Sequence, residues 1–81
     1  MRAEMKEKYL SEDEFEREVR RSRADWEFIN RQPPKIKAAL RLFIETGDSY
    51  KAAKLAGLTV DEFEELRIEA RIPKVVLRER S

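Results

Sequence analysis

The sequence predicts an all-α protein: a long N-terminal helix, a core of three further helices and a short extended C-terminal tail. Two observations carry that reading. Apolar residues recur at helical spacing, and helix start and stop signals punctuate the chain at intervals of one helix. At 81 residues the chain has room for a single hydrophobic core. Residues 1–32 are therefore expected as an amphipathic helix that packs on the core or dimerises, and residues 33–81 as the folded unit with its tail.

The first start signal is Leu10-Ser11-Glu12-Asp13-Glu14-Phe15. Ser11 and Glu14 have capping-box spacing, Leu10 and Phe15 have staple spacing, and the acids suit the positive end of a helix dipole. Phe15, Val19, Ser22, Trp26 and Ile29 continue one narrow stripe, so a helix is expected over 12–30 and should end before Pro33 and Pro34. Pro34 suits the first turn of the next helix. Ile36, Ala39, Leu40, Phe43 and Ile44 form its apolar face, with Gly47 as its stop. Asp48 or Ser49 then caps a short alanine-rich helix that stops at Gly57. Thr59 and Glu62 repeat the capping box, Leu58 and Phe63 repeat the staple, and the last helix turns Phe63, Leu66 and Ala70 inward before Pro73. Residues 74–77, with the β-branched pair Val75 and Val76, read as an extended tail or an edge strand.

Composition narrows the chemistry. There is no cysteine and no histidine, which removes disulfides, thiol nucleophiles, the usual zinc ligands and imidazole as a general base. No glycine-rich phosphate loop or nucleophile elbow is present. An enzyme is not expected, nor is a cofactor or a bound metal. The longest uncharged run, residues 55–60, is far shorter than a membrane span of about twenty residues or a signal core of at least about seven. A soluble, cytoplasmic protein follows. One Asn, one Gln and abundant Glu, Lys and Arg match the bias of thermophile proteins.

The three later helices carry the informative pattern. Ser49 opens a unit in which Ala53 stands where two helices cross and only a small side chain fits. Gly57 occupies the turn where positive φ is required, and Ala52, Ala56, Leu58, Phe63 and Leu66 fill the buried positions. Residues 35–72 resemble a helix-turn-helix domain. The wording D-S-Y-K-A-A-K-L-A-G-L-T-V-D-E-F-E-E-L, followed by R-I-P, is further similar to the C-terminal half of small prokaryotic VapB-like antitoxins, over residues 40–74. Those proteins pair a DNA-binding or dimerising half with a toxin-neutralising half. Where a ribbon-helix-helix half would begin with a β-strand, this chain offers a charged helix.

The resemblance implies a small DNA-binding transcriptional regulator, and charge qualifies it. Eighteen bases against seventeen acids leave a net charge of +1. Residues 35–58 carry net +3 and residues 59–72 net −3, so the two halves of the motif differ in sign. Phosphate contacts are expected from Tyr50, Lys51 and Lys54, with Lys35, Lys37 and Arg41 preceding them. Arg20, Arg21 and Arg23, together with Lys74, Arg78 and Arg80, extend the basic flanks. The recognition helix would present Thr59, Val60, Asp61, Glu64 and Glu65 to base edges. Three of those five are acids, which phosphate repels. The trio at 61, 64 and 65 reads as a solvated face rather than a magnesium site.

Two further alternatives stay open from sequence. The acidic helix suits either weak readout of duplex DNA or a protein partner, a toxin among them, so the competing class is an interaction module that keeps the fold without sequence-specific readout. Trp26 and Phe28 cannot share one narrow stripe. Either both serve core packing and the junction, or residues 12–24 form the seam of a homodimer.

Overall fold

The computed structural model describes residues 12–75, with side chains from residue 14 onward. The Ser11 cap, the Leu10–Phe15 staple, Arg78, Arg80 and the tail beyond residue 75 lie outside the described residues. The described residues are all-α, with no strand among them. Their helices are α1 (Glu12–Arg23), α2 (Trp26–Asn30), α3 (Pro34–Thr46), α4 (Ser49–Ala56) and α5 (Val60–Glu69). None of them is long and apolar enough to cross a membrane.

α3 is the central element, and α1, α2 and α4 all pack on it. Pro34 occupies its first turn, where the missing amide costs nothing. Ala39, Leu40, Phe43 and Ile44 are buried, and Ile36 is half-buried. Gly47, in the left-handed region at φ 73, ends the helix and donates its amide to the Phe43 carbonyl at 2.6 Å. Asp48, rather than Ser49, is the next cap: its Oδ1 accepts from the Lys51 amide at 3.0 Å.

α4 stops at Gly57, φ 75. The Leu58 amide reaches back to the Ala53 carbonyl at 2.9 Å and the Gly57 amide to that of Lys54 at 3.2 Å, a Schellman ending. Ala52, Ala53 and Ala56 are buried, and their small side chains let α4 lie close to α3 and α5. Thr59 and Glu62 then close the expected capping box, at 3.1 Å and 2.9 Å. α5 places Phe63 in the core with its ring 5.7 Å from that of Phe43.

The N-terminal segment departs from expectation, because the single helix over 12–30 is two helices. Asp25 adopts extended backbone and its carboxylate caps the Phe28 amide at 3.1 Å. Its own amide donates to the Ala70 carbonyl at the end of α5, 2.8 Å away. A side-chain cap and a tertiary bond together outcompete helix continuation. The break also removes the conflict between Trp26 and Phe28. Both are half-buried against the core, and the Trp26 Nε1 donates to the Arg21 carbonyl at 2.9 Å.

The end of α5 repeats the Schellman device without glycine. Arg71 has φ 58, the Arg71 amide bonds the Ile68 carbonyl at 2.9 Å and the Ile72 amide bonds that of Arg67 at 3.2 Å. This turn drives Ile72 into the core, where it is 1% exposed. Residues 72–75 follow without regular structure.

Candidate nucleic-acid interface

The Asp48 cap fixes where α4 begins, and so which side chains lead its first turn. Tyr50, Lys51 and Lys54 are exposed, with the Lys54 ammonium 5.9 Å from the centroid of the Tyr50 ring. Gly57 then brings the start of α5 alongside. Tyr50 and Lys54 share a small groove with Thr59 and Val60, over a floor of Ala53 and Leu58. Four residues expected at a DNA surface, two from α4 and two from the cap and first residue of α5, are thus brought together. Lys51 stands one turn from Lys54 on the outer side of α4.

The basic residues of α3 form a separate patch. Lys37 and Arg41 flank a shallow depression with Pro34 and Ala38, and Lys35 is exposed at the helix start. Among the described residues none of Lys35, Lys37, Arg41, Lys51 and Lys54 forms an ion pair.

The arginines of α1 behave otherwise. Arg20 is buried at 5% exposure, its Nε donating to the Ile44 carbonyl at 2.7 Å and its guanidinium lying 5.9 Å from the Phe43 ring centroid. Arg21 pairs with Glu18 and with Glu45, and Arg17 with Glu45. These cations meet the carbonyl end of α3, where the helix dipole is negative. Arg23 is exposed.

On α5, Thr59 is exposed but its hydroxyl serves the cap, Val60 is half-buried, and Asp61 and Glu65 are exposed. Glu64 is different. Its side chain is 21% exposed and pairs with Arg67 at 2.6 Å and Lys74 at 3.3 Å. Partial burial pushes its carboxyl up, but hydrogen bonds from Arg67 and Ser49, the Arg67 charge and Lys74 outweigh that and hold it below the ordinary carboxylate value. Glu64 therefore ties α5 to the start of α4 and to the tail. Arg67 completes the tie by donating to the Ile72 carbonyl at 2.7 Å.

Spacing alone misses this network, although the acid-before-base order of Glu64 and Arg67 at i,i+3 is a local signal for its first link. The same outward face of α5 carries Ile68, 62% exposed. Among the described residues no group of three acidic side chains is placed to hold a metal ion. In comparison with known proteins, no family model, no curated protein and no solved structure matches the chain.

Proposed function

We propose that the chain is a small helix-turn-helix protein that binds double-stranded DNA as a transcriptional regulator of antitoxin-like kind. The observation that carries this reading is the left-handed turn at Gly57, which sets Tyr50 and Lys54 beside Thr59 and Val60. In this reading Tyr50, Lys51 and Lys54 take backbone phosphates, and Lys35, Lys37 and Arg41 add attraction from α3. Thr59, Val60, Asp61 and Glu65 turn toward base edges. Readout is weak, because a carboxylate in the major groove accepts only from cytosine N4 and Glu64 is held by Arg67 and Lys74. Affinity then rests on phosphate neutralisation and falls steeply with salt. A homodimer through α1, where Phe15 is 45% exposed, would set two units about 34 Å apart on adjacent major grooves.

One observation favours the second reading, a partner-binding module. The outer face of α5 offers Asp61, Glu65 and Ile68, while its one base, Arg67, turns to Glu64 and Ile72. A single set of titrations separates the two. Under the DNA reading, Lys51→Glu with Lys54→Glu should lower the salt slope of duplex binding by about 2, one for each lost phosphate contact, and Asp61→Lys with Glu65→Lys should tighten binding. A wild-type chain with no salt-sensitive duplex affinity leaves the partner-binding reading in its place.

A further inference from the structure

We infer that the groove between α3 and α5 docks a basic, amphipathic helical segment of another protein. The groove is open to solvent and measures about 340 Å³, with Ile36, Leu58 and Leu66 along its floor and Glu62, Glu65 and Glu69 along its α5 rim. The three floor residues pack against the core yet remain half-buried, so they offer apolar surface to an occupant. The three carboxylates are exposed. They fall at i, i+3 and i+7 of one helix, on one face, over about 10 Å at the α-helical rise.

An apolar floor beside a rim of one charge sign is the surface that a helix laid into a groove recognises, with its apolar positions inward and its charges on the rim. Here the rim selects cations. Among the described residues neither Glu65 nor Glu69 forms an ion pair, whereas Glu64, on the opposite flank of α5, is paired twice. Lys74 sits on that opposite flank with Glu64, so residues 72–75 leave α5 on the side away from the groove. A nucleic-acid backbone does not suit this groove, since the rim would face its phosphates with like sign. What fits is a helix with two apolar side chains one turn apart and Lys or Arg beside them.

This inference narrows the partner-binding reading to one surface and one partner chemistry, and it is independent of the phosphate contacts assigned to α4. The probe is a fluorescein-labelled synthetic helix with leucine at i, i+3, i+4 and i+7 and lysine on its other faces. It is titrated onto the full chain by fluorescence anisotropy at near-physiological salt, beside a scrambled peptide of equal composition. The amphipathic peptide should bind roughly tenfold or more tightly than the scrambled one. Glu65→Lys with Glu69→Lys should weaken it by about as much, and the neutral pair Glu65→Gln with Glu69→Gln should act in the same direction. Amide shifts on titration should concentrate at Ile36, Leu58 and Leu66. Equal binding of the scrambled peptide, or indifference to the Glu65 and Glu69 substitutions, overturns the inference. Shifts centred on Asp61 and Ile68 instead also overturn it, while leaving the broader partner-binding reading standing.

Discussion

Two glycines end helices in nearly the same conformation, Gly47 at φ 73 and Gly57 at φ 75, yet alanine should be far costlier at the first. Left-handed backbone costs a residue with a Cβ about 1–2 kcal/mol, and about 0.4–1 kcal/mol of that returns through the stiffer unfolded chain. At Gly57 a Cβ meets nothing within 4 Å, so Gly57→Ala should cost about 1 kcal/mol and no more. At Gly47 the Cβ would lie 2.9 Å from Arg20 Nη1 and 3.2 Å from its Cζ. Arg20 is buried and holds the Ile44 carbonyl, so it cannot swing aside without losing a charge-assisted hydrogen bond of about 1.5–3 kcal/mol. For a domain of this size 1 kcal/mol moves Tm by about 4–8 °C. Thermal unfolding followed by circular dichroism should therefore shift by that amount in Gly57→Ala and at least twice as far in Gly47→Ala. With Arg20→Ala in the background the two substitutions should become equivalent. Equal losses while Arg20 is present would refute the claim that Gly47 is needed for space as well as for φ.

Arg71, a non-glycine residue at φ 58, gives the converse case. Arg71→Gly should stabilise the fold by up to about 1 kcal/mol and so raise the urea midpoint, because relief of left-handed strain exceeds the added freedom of the unfolded chain. A lowered midpoint would mean that the Arg71 side chain itself stabilises the fold. The Glu64 carboxyl predicts a pH effect whose sign follows from its depressed value. Its stabilisation is fully present above the ordinary carboxyl value of about 4.5 and is lost as pH falls through the lower folded value. Urea titrations over that acid range should show a smaller loss in Glu64→Gln than in the wild type, and identical profiles would show that the pairs with Arg67 and Lys74 contribute nothing.

The helices of the core were legible because each rests on a local signal. Pro34, Gly47, Gly57 and the Thr59–Glu62 box act within a few residues of themselves, and the apolar face of α3 has complete helical period. The break at Asp25 was not legible, because the stripe from Val19 through Trp26 to Ile29 has the right spacing across it. What decides the break is a bond from the Asp25 amide to the Ala70 carbonyl, forty-five positions away in sequence. An aspartate inside a helical stripe is ambiguous until such a partner is placed. Ile72 was missed for a related reason. It enters the core only because Arg71 takes a left-handed turn that sequences usually mark with glycine.

Charge is where residue spacing loses its power to assign roles. Arg20 and Arg23 stand one turn apart on α1, both in the run Arg20-Arg21-Ser22-Arg23, yet one is buried and the other exposed. The difference lies in α3, whose last carbonyls need donors and whose Gly47 leaves the guanidinium room. Arg67 is drawn inward in the same way, by the Ile72 carbonyl that the turn at Arg71 presents to it. Both arginines come within 6.0 Å of the Phe43 ring centroid, so the aromatic centre of the core is approached by cations from α1 and from α5. A count of basic residues therefore overstates the surface open to phosphate. Arg17, Arg20, Arg21, Arg67 and Lys74 are engaged within the fold, whereas the lysines of α3 and α4 and Arg41 form no ion pair among the described residues. If duplex DNA is bound, its phosphates must meet those side chains. Reversing charge at Arg21 should then leave the salt slope unchanged, and reversing it at Lys51 should not.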